Sequence, residues 1–130
     1  MYVLDANTVI HFFKGKGNVA KRLLAVAPTE IALPSVALYE LEVGRLKSQN
    51  PERRRKELEE LSAFARILPF GPAEAAAAAQ VRADLERVGL TIGPYDVLIA
   101  GTALSHRAIM VTNNTDEFRR VRGLVVEDWL

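Results

Sequence analysis

Short runs of three or four apolar residues alternate along this chain with longer stretches whose apolar side chains recur at every third or fourth position, a pattern that predicts strands separated by helices. Tyr2-Val3-Leu4 reads as a buried strand. It leads directly into a helix capped by Asn7 or Thr8 and carrying Val9, Ile10, Phe12 and Phe13, which Gly15 and Gly17 end. A second helical stretch covers residues 18–27, and Pro28 and Pro34 bracket Glu30-Ile31-Ala32-Leu33 as a short strand. Ser35 is placed to cap a helix with Val36, Tyr39, Val43 and Leu46 at helical spacing. Beyond Asn50-Pro51 a highly charged helix is expected to about Arg66, with Leu58, Leu61 and Phe64 as its buried stripe. Ile67-Leu68-Pro69-Phe70 reads as a strand, and Pro72 opens an alanine-rich helix that runs to Val88 and stops at Gly89. Gly93-Pro94 opens a helix from Tyr95 to about His106 whose centre, Val97 to Gly101, is apolar almost all round and therefore buried. Ala108 to Val111 is a strand, followed by a helical turn around Asp116 to Val121 and a last strand at Leu124-Val125-Val126.

Strands separated by helices imply right-handed crossovers and a short, mostly parallel central sheet flanked by helices, so the predicted class is α/β. The 130 residues suit a single domain over 1–130, with no linker or internal repeat. No stretch approaches the ~20 uncharged apolar residues of a membrane span. The first residues lack the basic start and apolar core of an export signal, and cysteine is absent, which together favour a cytoplasmic location and exclude disulfide or thiol chemistry. Seventeen basic and 16 acidic residues nearly cancel, so any affinity for nucleic acid must come from local distribution.

The candidate chemistry lies in carboxylates with apolar neighbours: Asp5 closing the first strand, Glu40, Asp96, and the Asp116-Glu117 pair. A carboxylate in such a setting needs a hydrogen-bond donor, a counter-charge or a metal. In open parallel sheets the functional crevice lies outside the carboxyl ends of the strands. Asp5 and the Thr112-to-Glu117 segment follow strands there, while Glu40 and Asp96 lie on helices that start near the same rim. Several carboxylates without cysteine form a hard-oxygen site for Mg²⁺ or Mn²⁺, and phosphoester hydrolysis is the chemistry that follows. Each acid also has a plainer reading. Asp5 can accept backbone amides at the next helix start, and Asp96, Asp116 and Glu117 can be first-turn acids that complement the helix dipole. Periodicity alone does not choose between Glu40 and Glu42.

Taken together, Tyr2-to-Thr8, Ser35-to-Leu41 with Gly44, Ile92-to-Ala100, and Val111-to-Thr115 with Phe118, Gly123, Leu124 and Glu127-Asp128-Trp129 resemble the VapC-type PIN-domain toxins in order and spacing along nearly the whole chain. The resemblance implies a metal-dependent endoribonuclease, the toxin of a type II toxin–antitoxin pair, acting on structured RNA such as tRNA, initiator tRNA included. It also implies a VapB-type antitoxin, a homodimer and a toxin–antitoxin hetero-oligomer. Carried over by position, Asp5, Glu40 and Asp96 match the three family acids that hold the metal, and Asn7 and Thr112 match polar positions lining the pocket. Many relatives carry a fourth acid where this chain has Asn114; others supply it from the position of Glu117. This sequence follows the second pattern, with Asp116 as a further candidate. Ala6 replaces the commoner Thr, which removes a hydroxyl but no ligand.

RNA drawn to an acidic pocket needs basic residues at its rim to neutralise phosphates. Lys14, Lys16, Arg45, Lys47, Arg119, Arg120 and Arg122 are the candidates, whereas Arg53 to Lys56 read as a solvated helix face. Neither His11 nor His106 sits at ligand spacing from an acid, and His106 reads as a cation near a helix C-terminus. The alternatives are a phosphatase with Asp5 as nucleophile, for which the second Asp is missing, a DNA-processing nuclease built on the same acids, and a non-catalytic binding module.

Overall fold

In the computed structural model, which describes residues 1–130, five strands form one parallel sheet in the order β3-β2-β1-β4-β5. They are β1 (Tyr2–Leu4), β2 (Ile31–Pro34), β3 (Arg66–Leu68), β4 (Ile109–Val111) and β5 (Val125–Glu127). Tyr2 lies opposite both Ile31 and Ile109, and Leu4 lies opposite Val111. The three inner strands are almost wholly buried, from Val3 and Leu4 through Ala32 and Leu33 to Met110 and Val111, whereas the edge strands carry Arg66 and Glu127. That distribution is expected when helices cover both faces and only the edges meet water.

The helices are α1 (Ala6–Phe13), α2 (Val19–Leu24), α3 (Ser35–Lys47), α4 (Pro51–Phe64), α5 (Pro72–Arg87), α6 (Pro94–Ser105) and α7 (Thr115–Phe118). None is long and apolar enough to cross a membrane. As its apolar centre predicts, α6 is a core helix, with Ile99, Ala100 and Ala103 fully covered. It lies against α5 at backbone contact: a Cβ on Gly101 would fall 2.5 Å from the Ala78 backbone. The alanines of α5 are thus a packing requirement as well as a helix preference.

Several boundaries differ from the sequence reading. The cap of α1 is Asp5, not Asn7 or Thr8, because a side chain one residue beyond β1 reaches the Thr8 amide. Pro34 occupies the cap position of α3, and Ser35, already helical, makes no capping bond. Glu30 belongs to a 3₁₀ turn (Pro28–Glu30), and α2 is shorter than expected. The third strand stops at Leu68, ahead of Pro69, which has no N–H to give the ladder. The last strand extends to Glu127, and Phe64, expected inside, is exposed at the end of α4.

After β1 the chain winds to β2 and β3 on one side, then crosses to β4 and β5 on the other. The switch in direction leaves a crevice beyond the carboxyl ends of β1 and β4, where α1, α3 and α6 also meet.

Candidate functional site

Asp5 leaves β1 at this switch point and is held at both oxygens. Oδ1 accepts the Thr8 amide at 2.9 Å, and Oδ2 accepts the Thr112 hydroxyl at 2.6 Å. Thr8 in turn donates its hydroxyl to the Val111 carbonyl at 3.1 Å. The junctions after β1 and β4 are therefore stitched together by two threonines, each almost inaccessible to solvent. Thr112 Oγ1 also accepts the Asn114 amide at 2.9 Å, which sets the direction of the turn into α7.

Asp96, on the first turn of α6, stands half-buried beside that turn. The Asn114 side-chain amide donates to Asp96 Oδ2 at 3.3 Å and also to Glu117 Oε2, while Glu117 Oε1 accepts the Gly93 amide at 3.3 Å. Asn114 thus brackets two acids from different elements. Glu40, from the middle of α3, completes the group: burial and then the Asp5 charge raise its carboxyl above the ordinary value. Asp96 is pushed up to about 7 by burial first, then by its hydrogen bond and repulsion with Glu117 and by the charges of Asp5 and Glu40. Glu117 is held below its ordinary value, chiefly by the same bond to Asp96.

These mutual effects place four carboxylates from four segments in one electrostatic neighbourhood, and none of them is in an ion pair. Accumulated carboxylate charge, eased only by the Arg120 charge acting on Glu117, is what a hard divalent cation answers. No three acidic or histidine side chains are set to grip a bare ion between them, so the four carboxylates line a loose pocket. Such a pocket suits a cation that keeps several waters and takes one or two carboxylates directly.

The PIN-domain profile matches residues 2–124 of this chain. The tRNA(fMet)-specific endonuclease VapC of Shigella flexneri is 40% identical over 98% of this chain and 97% of its own length. The chain belongs to the PIN-domain family, among the VapC ribonucleases. Solved VapC-containing complexes have the same architecture. DNA-bound VapBC from Salmonella typhimurium superposes with a TM-score of 0.93 at 36% identity, covering 99% of this chain and 98% of that one. VapBC2 from Rickettsia felis, bound to a DNA fragment from its promoter, gives 0.92 at 32% identity with the same coverage.

Within this PIN domain the other predicted residues separate. Thr112 and Asn114 are in the pocket, Asn7 is exposed and bonded to nothing, and Asp116 points to solvent while Glu117 turns inward. The basic candidates do not form a continuous rim. Lys14 and Arg45 line a groove of about 400 Å³ that begins at Glu40 and has Leu41 and Leu58 among its walls. Arg54 lines it too, so the reading of Arg53 to Lys56 as wholly solvated misses one residue. Arg45 and Arg54 pair with Glu42 and Glu57, whereas Lys14 is unpaired. Lys16, Lys47 and Arg119 are exposed and without ion pairs. Arg120 clips the Thr91 carbonyl at 3.0 Å and joins Arg122 in a separate groove against α5. His106 caps α6, but its ring turns to Glu74 at 3.2 Å.

Two features escaped the sequence reading. One is the bracket role of Asn114, which looks only like a missing acid. The other is a pair of tyrosines directly preceding Glu40 and Asp96. Tyr39 and Tyr95 meet edge to face with ring centroids 5.6 Å apart and hydroxyls 3.4 Å apart. An apolar groove of about 460 Å³ between α5 and α6, lined by Phe70, Leu85, Ile92 and Leu98 among others, contains none of the acids.

Proposed function

We propose that this chain is a Mg²⁺- or Mn²⁺-dependent endoribonuclease toxin that hydrolyses phosphodiester bonds in tRNA, initiator tRNA above all, and is restrained in the cytoplasm by a VapB-type antitoxin. The observation that carries this reading is the gathering of Asp5, Glu40, Asp96 and Glu117 at the sheet's switch point without a single paired cation. The tRNA(fMet) specificity for which the Shigella relative is named supports the choice of initiator tRNA. Asp5, Glu40, Asp96 and Glu117 would hold the metal. When bound, it supplies positive charge to the phosphate and acidifies water for in-line attack.

The chain's own residues supply position. Thr8 and Thr112 fix both oxygens of Asp5, so that carboxylate need not reorganise when substrate arrives. Asn114 keeps Asp96 and Glu117 together at the opposite wall. Lys14, exposed in the groove beside Glu40, is available to neutralise a phosphate next to the cleaved one. The same groove, apolar at Ile10, Phe13, Leu41 and Leu58, offers an amphipathic antitoxin segment a route towards the acids.

Incubating the purified chain with total tRNA and Mg²⁺, then mapping new ends, tests this function. New ends confined to a small set of tRNAs, absent with EDTA and with Asp96→Asn, are expected. Intact tRNA under every metal condition would exclude it.

A further inference from the structure

The Tyr39 and Tyr95 rings are exposed by 51% and 44%. Single exposed aromatics are ordinary on protein surfaces. These two differ in arrangement: they come from α3 and α6, they touch, and each directly precedes an acid of the pocket. The Glu40 charge is felt at Tyr95, and Glu40 also opens the groove of Lys14, Arg45 and Arg54, so the ring pair and that groove adjoin the same acid. Cations tracking a backbone combined with aromatic faces are the two elements by which proteins hold unpaired RNA.

Resting on the nuclease reading above, we propose that Tyr39 and Tyr95 form a stacking platform for an unpaired base adjoining the cleaved phosphate, so that the chain selects a single-stranded or looped segment of its RNA. The ring face matters and the hydroxyl does little, since the bond between the two hydroxyls is long at 3.4 Å. Binding through a base retained from ground state to transition state lowers KM with little change in kcat.

The test uses a tRNA-derived hairpin that the wild-type chain cleaves, a series of the same hairpin with one base-free nucleotide at each loop position, and a fully paired duplex of equal length. Tyr39→Ala and Tyr95→Ala should each raise KM for the hairpin about tenfold with kcat within about threefold, a loss in the range of one base stack. Tyr39→Phe and Tyr95→Phe should stay within about twofold of wild type. One base-free position should cost the wild type about tenfold and the alanine variants almost nothing more. Equal KM for wild type and alanine variants overturns the platform while leaving the nuclease standing, as does an equal loss on hairpin and duplex. A changed solution mass for Tyr39→Ala would reveal a subunit contact and overturn it as well. If the wild type cleaves no RNA, both readings fall.

Discussion

Replacing Asp96 with asparagine removes one negative charge from a pocket in which Asp5, Glu40 and Glu117 already repel it. The variant keeps its shape and loses an oxygen charge proposed to hold the metal, so tRNA cleavage should fall by orders of magnitude. Its fold should gain. In EDTA at pH 8, where repulsion is greatest, Asp96→Asn is expected to melt a few degrees above wild type, as scanning calorimetry would show; a lower melting temperature would mean that the carboxylate has a supporting role instead. The plainer reading of Asp5 holds in part: the side chain caps α1 with one oxygen and meets Thr112 with the other. Asp5, Glu40 and Asp96 were legible as a set because the resemblance fixed their spacing. Periodicity could not have preferred Glu40 to Glu42, and nothing in the sequence shows that Asn114 bridges residues 18 and 3 positions away.

Between elements, the closest approach is that of α5 and α6, and it sets the position of Asp96. A methyl group on Gly101 cannot be accommodated by rotating a side chain, since it meets the Ala78 backbone itself. Gly101→Ala should therefore destabilise the chain by about 1–3 kcal/mol or more, measured by urea unfolding, and reduce cleavage at temperatures where wild type is fully folded. At the start of α5, Glu74 reaches back to the Gly71 amide at 2.8 Å and also accepts from Ser105 at 3.2 Å, with the His106 ring alongside. The backbone bond foremost holds its carboxyl below the ordinary value. A depressed acid stabilises the fold above its unfolded pKa, and that contribution disappears as pH falls through the folded one. Glu74→Gln should therefore lose less melting temperature than wild type between pH 7 and pH 3; identical pH slopes would rule the contact out as a source of acid sensitivity. The order of strands and helices was readable from apolar spacing, whereas the ends were not. Caps depend on where a neighbouring side chain reaches, as at Asp5, and strand length depends on pairing, as at Leu68 beside Pro34.

The molecule as a whole leaves apolar surface uncovered on α3 and α4, with Leu46 70% exposed and Phe64 36% exposed. Association into a homodimer through these helices is expected, and light scattering at micromolar concentration should give twice the chain mass of 14.4 kDa, reduced towards one by Leu46→Glu with Phe64→Glu. A wild-type monomer would rule the assembly out. The sheet order carries a different consequence, for the order of events during synthesis. The central strand is made first, yet one of its two neighbours, β4, begins only at Ile109. Until then Asp5 has no Thr112 to hold it, and Asp96 has neither Asn114 nor Glu117 across from it. Long-range parallel pairing is also slow to form. A growing chain that emerges from the ribosome N-terminus first therefore cannot complete its acidic pocket until the residues from Ile109 onward have been made.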